Sequence, residues 1–118
     1  MALCTDSYTP DQDTHDFFND VTNEVSASGT GYTSGGATLT LSDPTYDAST
    51  NECRLDCDNV TWSSSTITAR YAVVYRDTGT ASTSPLIGYI DFGENKISSA
   101  GNFTVTIAAT GLFKITAA

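Results

Sequence analysis

Apolar and polar residues alternate along much of this chain, which is the pattern of half-buried β-strands. The clearest segment is TARYAVVYRDTGTASTSPLIGYIDFG, in which two runs rich in β-branched and aromatic residues flank a loop of Gly, Thr, Ser and Pro. It predicts a β-hairpin formed by residues 67–76 and 86–92. Other alternating runs predict further strands at residues 37–41, 52–62, 102–108 and 112–116. Turn signals about every ten residues predict a mostly β fold, an antiparallel β-sandwich or small barrel of six to eight short strands.

The first part of the chain has a different pattern. Residues 1–13 are polar and acidic, and they predict an extended N-terminal arm. Residues 14–118 then form a single β-rich domain that opens with a short helix at about residues 14–25. The helix is favoured over a strand because apolar residues recur at helical spacing. That apolar stripe consists of Phe17, Phe18, Val21 and Val25.

The charge of the chain is acidic and unevenly distributed. The net charge is −9 at pH 7; residues 1–58 carry eleven acids and one Arg, which gives −10, and residues 59–118 contribute +1. Nucleic acid and anionic membranes require a basic footprint, so neither is an expected partner. The acidic half is either a solvated face or a surface that meets a basic neighbouring subunit.

Membrane and export signals are not evident in the sequence. No apolar run approaches the ~20 residues of a membrane span, and the first ten residues lack the basic and apolar regions of a signal peptide. We therefore expect synthesis in a cytoplasm, where free thiols are the default for the three cysteines.

The search for catalytic and metal-binding patterns is largely negative. His15 is the only histidine, and no HExxH, P-loop or GxSxG pattern occurs. Asp11, Asp13 and Asp16 loosely resemble a calcium loop but lack the Gly and Glu that an EF-hand needs. Helix capping and solubility explain these acids. We therefore expect neither an enzyme nor a cofactor.

The cysteines support two interpretations. In the predicted strand 52–62, Cys53, Leu55 and Cys57 point inward and Glu52, Arg54, Asp56 and Asp58 point outward, and a change of phase near residues 58–59 predicts a bulge. A regular strand would hold the Cα atoms of Cys53 and Cys57 ~13 Å apart. That distance is too long for a disulfide between them, which needs less than ~7 Å, and for a shared zinc site. Either both are small buried core residues, or one forms a cross-link with Cys4, within the chain or between subunits. Cys4, Cys53 and Cys57 are therefore the candidate cross-link residues.

The hairpin and the ending GNFTVTIAATGLFKIT, with the upstream segment YDASTNECRLDCDNVTWSSSTITARY, resemble a family of small structural proteins of tailed bacteriophages. The resemblance covers roughly residues 30–118. It implies a virion component encoded among head and tail morphogenesis genes, with no catalytic motif. Positions 53 and 57 are usually not Cys in that family, so this chain departs from the pattern there.

The resemblance implies a capsid decoration (cement) protein that binds and stabilises the head shell. Its expected partners are the major capsid protein or other virion subunits and copies of itself, with a trimer favoured at capsid three-fold positions. The expected location is the virion, on the head surface, after synthesis in the bacterial host cytoplasm. Trp62, Tyr71 and Tyr75 are candidate interface anchors, because aromatic residues dominate such contacts; the alternative is that they belong to the core.

Two other functions remain open. The chain could be a neck, collar or tail structural protein, which is also a virion component. It could also be a β-sandwich module that binds carbohydrate, and Tyr32 and Tyr46 are then the loop aromatics that would contact a sugar.

Overall fold

The computed structural model describes residues 1–117 as a strand-rich protein. The strands are β1 (Ala2–Cys4), β2 (Thr45–Asp47), β3 (Glu52–Leu55), β4 (Val60–Ser65), β5 (Thr68–Tyr75), β6 (Leu86–Ile97), β7 (Gly101–Val105) and β8 (Phe113–Thr116). Single 3-10 turns occur at Phe18–Asp20 and Ala81–Thr83. Strands β1, β5 and β6 form one antiparallel sheet, and β2, β3 and β8 form another. The prediction of a mostly β fold is confirmed. The number of strands and their antiparallel pairing are those of a small β-sandwich.

The chain divides into two compact units, each assembled from two segments. Unit 1 comprises Met1–Ala37 and Trp62–Phe103, and unit 2 comprises Thr38–Thr61 and Thr104–Ala118. The sequence predicted one domain over residues 14–118, whereas the contacts within the chain group into these two units. Each unit is described separately below.

Unit 1 is built on the sheet β1-β5-β6, with β5 in the centre. Ala72, Val73 and Val74 of β5 are almost completely buried, because this strand is covered on both faces and flanked on both edges. β5 and β6 form the predicted hairpin. β6 continues to Ile97, past a bulge at residues 92–95 where the register with β5 shifts.

The prediction of an extended arm over residues 1–13 is wrong for the first residues of the chain, because these residues form a buried strand. Ala2, Leu3 and Cys4 have no exposed surface, and they pair with β5 in the register Leu3↔Ala72. The physical reason is that a short apolar run can complete a sheet edge whose inner face is already buried. Such a run is too short to show a period in the sequence.

The predicted helix over residues 14–25 is reduced to the single 3-10 turn Phe18–Asp20. Thr, Asn, Asp and Phe are weak helix formers, so this segment has little intrinsic preference for a helix. Tertiary hydrogen bonds replace helical ones: Val25 donates its backbone N–H to Leu3, and Thr5 donates to Asn23. Val21 packs against the buried cluster of Cys4, Tyr8 and Val73 instead of lying on a helix face.

Unit 2 is built on the sheet β2-β3-β8, with β3 in the centre. The predicted strand 52–62 is interrupted after Leu55, and its second part forms β4. This break lies close to the change of phase that the sequence showed near residues 58–59. The predicted strand 37–41 is not formed; its last residue, Leu41, makes only an isolated bridge to Cys57. The predicted strand 112–116 corresponds to β8.

Candidate interaction surface

Cys4 is the most deeply buried of the three candidate cross-link residues. Its side chain is fully enclosed and packs with Tyr8 and Val73. Burial, reinforced by the charge of Glu24, raises the pKa of the Cys4 thiol to about 12. The thiolate is the reactive form of cysteine, so Cys4 is chemically inert in this structure. The expectation that Cys4 reaches a neighbouring subunit on a free arm is therefore corrected.

Cys53 and Cys57 have opposite environments, although the sequence predicted both to face inward. Cys53 is exposed in the middle of β3, while Cys57 lies outside that strand and is buried. Burial, together with the charges of Asp56 and Asp58, raises the pKa of Cys57. Among residues 1–117 all three cysteines are free thiols, so no disulfide is formed. Cys53 is thus the only accessible thiol of the three.

The candidate interface aromatics Trp62, Tyr71 and Tyr75 all lie within unit 1. Trp62 is only 6% exposed and packs against Tyr32 and Phe103, with ring centroids 6.0 and 6.2 Å away. This places Trp62 in the core, which was the alternative interpretation of its sequence position.

Tyr71 and Tyr75 are half-buried and are also engaged within unit 1. Tyr71 makes edge-on contacts with Tyr8 and Tyr89. Tyr75 stacks on Phe18 at 4.0 Å between ring centroids, and its hydroxyl donates to a backbone carbonyl at 2.8 Å. Contacts within unit 1 therefore cover most of the surface of both rings.

His15 and the nearby acids have structural partners. The His15 ring stacks on Tyr8, with centroids 5.8 Å apart, and its Nδ1 atom hydrogen-bonds the Tyr8 hydroxyl at 3.1 Å. A hydrogen bond from the Thr14 side chain, together with the backbone N–H groups of Asp13 and Thr14, lowers the pKa of Asp11. No group of three or more potential metal ligands occurs within the described part of the chain. These residues close turns around the start of unit 1.

The two tyrosines considered for sugar binding differ sharply in accessibility. Tyr32 is 3% exposed, and its hydroxyl donates to Glu24 Oε1 at 2.6 Å while accepting the backbone N–H of Leu3. Burial and the hydrogen bond to Glu24 raise the pKa of Tyr32. Tyr46, in contrast, is 66% exposed. Only Tyr46 is available to an external partner.

Tyr46 belongs to a row of exposed residues that crosses the whole sheet of unit 2. The register pairs Tyr46 of β2 with Cys53 of β3, and Cys53 with Ile115 of β8. Residues directly opposite each other in antiparallel strands project from the same face. Ile115 is 73% exposed, the largest fraction among the large exposed hydrophobic residues of residues 1–117. We call Tyr46, Cys53 and Ile115 the apolar row.

The apolar row continues along the same face of the sheet. Leu55 of β3 pairs with Phe113 of β8, two positions from Cys53 and Ile115, so both lie on the face of the row. Both are half-buried. The apolar row is therefore the exposed part of an uncharged face that spans three strands.

The opposite face of this sheet carries the charged residues. Glu52 of β3 makes ion pairs with Arg54 at 2.5 Å and with Lys114 at 2.7 Å. Hydrogen bonds from Lys114 and Arg54 to its carboxylate lower the pKa of Glu52. The Glu52 side chain is only 12% exposed. In an ordinary half-buried sheet the apolar face is buried and the charged face is exposed. In this sheet the polarity is inverted: the charged side chains are less exposed than Tyr46 and Ile115 of the apolar row.

The sequence contained only part of the signal for this surface. Alternation in residues 52–55 separated charged from uncharged positions correctly, but it assigned the uncharged face to the interior. The row becomes visible only when the register brings Tyr46 and Ile115 beside Cys53, and these two residues are 69 positions apart in the chain. Register is set by pairing between distant segments, which a single sequence does not specify.

Comparison with known proteins adds no identification. Neither a scan against models of protein families nor a search of curated proteins finds a match to this chain. Within the described residues, the structure contains no helix long and apolar enough to span a membrane.

Proposed function

We propose that this chain is a structural component of a tailed-bacteriophage virion, and specifically a capsid decoration protein that binds and stabilises the head shell. The resemblance of residues 30–118 to small phage structural proteins supports this proposal. The observation that carries it is the apolar row, an uncharged and exposed stripe on a strand-built surface. Such a stripe is characteristic of a surface that is covered by another protein.

Other exposed apolar residues support a role in assembly. Ile87 and Tyr89 lie on the first part of β6, before its bulge, and they are 56% and 41% exposed. β6 is the outer strand of the sheet β1-β5-β6, and an outer strand is a position at which another chain can add. A decoration protein that bridges shell subunits needs more than one contact surface.

This function is tested by counting the copies of this chain in purified particles. Particles from an infected or induced culture of the host that carries the gene would be digested and quantified by mass spectrometry against the major shell protein. We expect this chain in hundreds of copies per particle. About six or twelve copies would instead assign it to the neck or tail, whose rings have low cyclic symmetry. Absence from the particles would overturn a virion function altogether.

A matched binding assay tests the stabilising role. Shells assembled without this chain would be incubated with the purified protein, sedimented and then heated. We expect the protein to sediment with the shells and to raise the temperature at which they open, because a ligand stabilises the state it binds. Binding of the isolated protein to a glycan array, with no binding to shells, would favour the carbohydrate-binding alternative.

A further inference from the structure

The sheet of unit 2 has no buried side chain in any of its strands. Every residue of β2, β3 and β8 is either half-buried or exposed. A three-stranded sheet normally gains its stability from one hydrophobic face that is packed against something else. Here the uncharged face ends in the apolar row, where Tyr46 and Ile115 are 66% and 73% exposed. The row is therefore an exposed apolar face, and no residue of unit 2 that the structure describes covers it.

We propose that the apolar row docks onto a protein surface that presents aliphatic or aromatic side chains rimmed by Lys and Arg. This inference rests on the proposed function, under which the partner is a subunit of the shell. The apolar part of the partner follows from the uncharged character of the row. The basic rim follows from the charges of unit 2.

Unit 2 is acidic, and its cations are already engaged. Its residues include five acids and two bases, which leaves a net charge of −3. Both bases, Arg54 and Lys114, pair with Glu52. The remaining acids have no ion pair within the described residues, and they are Asp43, Asp47, Asp56 and Asp58. Asp47 pairs with Glu52 and lies on the charged face, whereas Asp43, Asp56 and Asp58 lie outside the strands. A basic partner would neutralise these carboxylates.

Charge complementarity therefore decides between the two possible occupants of the row. A second copy would bring the same unpaired carboxylates to the contact, in a chain whose net charge is −9. Like charges placed across an interface disfavour association, whereas opposite charges favour and steer it. The occupant is thus a different protein with a basic rim.

The size of the face fits this role. A tyrosine that becomes fully enclosed buries about 150–250 Å², so Tyr46 and Ile115 with their half-buried neighbours offer on the order of 300–400 Å² of apolar surface. A standard interface buries about 800 Å² per partner, with an apolar centre and a polar rim. The apolar row corresponds to such a centre, and Asp43, Asp56 and Asp58, which lie outside the strands of this sheet, supply acidic groups for the rim.

The test compares two isoleucines that are almost equally exposed. Ile115→Thr removes apolar surface from the row but keeps the β-branched side chain that strands prefer. Ile97→Thr makes the same change in unit 1, where Ile97 is 70% exposed. Binding of each purified protein to shells that lack this chain would be measured by sedimentation, after thermal unfolding has shown that both variants are folded. We expect Ile115→Thr to weaken binding about tenfold and Ile97→Thr to change it less than about twofold.

Salt and thiol accessibility provide two further measurements on the same complex. Raising NaCl from about 50 mM to about 500 mM screens exposed charges, so binding should weaken markedly if the rim of the partner is basic. Cys53 lies at the centre of the row, so its reaction with a maleimide should be fast in the free chain and at least tenfold slower on the shell.

Each outcome has a separate meaning. If the wild-type chain binds shells and Ile115→Thr binds equally well, the docking face is wrong and the proposed function stands. Binding that does not depend on salt would overturn the basic rim. If the isolated chain forms a dimer in the ultracentrifuge that Ile115→Thr disrupts, the occupant is a second copy, and the inference of a foreign partner is overturned. If the wild-type chain does not bind shells, the proposed function fails, and this inference fails with it.

Discussion

Gly36 offers a sharp test of how unit 1 is held together. Its φ is +80°, and a Cβ atom added there would lie 1.9 Å from the carbonyl oxygen of Met1 and 2.7 Å from the Cα of Ala2. These are backbone atoms at the start of β1, which is fixed by its pairing with β5. They cannot rotate away as the end of a flexible side chain could. We therefore expect Gly36→Ala to displace β1 from the sheet edge.

The cost of this substitution can be worked out from the structure. Alanine in the left-handed region costs about 1–2 kcal/mol. Overpacking against a fixed neighbour adds about 1–3 kcal/mol. The displaced strand also strains two hydrogen bonds between Met1 and Ala37, of 2.7 and 2.9 Å, each worth about 0.5–1.5 kcal/mol. The expected loss is roughly 3–8 kcal/mol, a large part of the about 5–15 kcal/mol that stabilises a typical domain.

Gly79 is the matched control for the backbone strain. Its φ is +83°, and no described atom lies within 4 Å of the position that a Cβ would occupy. Gly79→Ala should therefore cost only the strain, about 1–2 kcal/mol. Both variants would be unfolded in urea and followed by the fluorescence of Trp62, which is the single tryptophan and is buried in unit 1. If the two variants lose the same free energy of unfolding to within about 0.5 kcal/mol, the close approach of Gly36 to β1 is refuted.

Three further predictions concern buried and exposed groups. Cys53 should be the one thiol that reacts rapidly with Ellman's reagent in the folded chain, and Cys53→Ser should abolish that fast phase; a fast phase that persists would contradict the burial of the other two. The folded pKa of Cys4 is raised from 9.0 to about 12, so the unfolded chain loses this proton first and stability falls as pH rises between those values. Cys4→Ala should flatten that part of the curve in urea titrations, and an unchanged slope would rule out this contribution. Ser65→Ala should cost about 1–3 kcal/mol, because the fully buried Ser65 hydroxyl lies within hydrogen-bonding distance of Ser98 Oγ, at 2.9 Å, and of two backbone carbonyls; a loss below about 0.5 kcal/mol in the same titration would show that the network contributes little.

The strand content was predictable because strands β5, β6 and β8 are specified by local pattern. Residues 68–75 are rich in β-branched and aromatic residues, and turn-forming residues follow them, so propensity and periodicity agree. The helical spacing of Phe17, Val21 and Val25 led to the incorrect prediction of a helix. The same spacing of apolar residues also occurs in a loop that packs on a sheet. In this loop the backbone N–H of Val25 bonds to β1, which lies more than twenty residues away. Tertiary hydrogen bonds of this kind override a weak helical preference.

The interaction surface was less predictable than the fold, and the reason is geometric. The sequence correctly placed Cys53 on the face opposite Glu52 and Arg54, since alternation is a local property of a strand. It gave no indication of which strands would flank β3 or in which register. That register places Tyr46 and Ile115 on either side of Cys53, and it makes an uncharged face of residues that look unrelated in the chain. The direction of that face, outward instead of inward, depends on what covers it.

The inverted polarity of this sheet links its stability to its partner. Glu52 holds Arg54 and Lys114 together across β3 and β8 on the charged face, but ion pairs near the surface contribute little to stability because solvent and salt screen them. Covering an exposed isoleucine or tyrosine contributes about 1.5–3 kcal/mol per side chain. The larger source of free energy thus lies on the face that unit 2 leaves open. A partner that covers Tyr46, Cys53 and Ile115 would supply the hydrophobic face that a three-stranded sheet requires, so docking would stabilise the same strands that perform it.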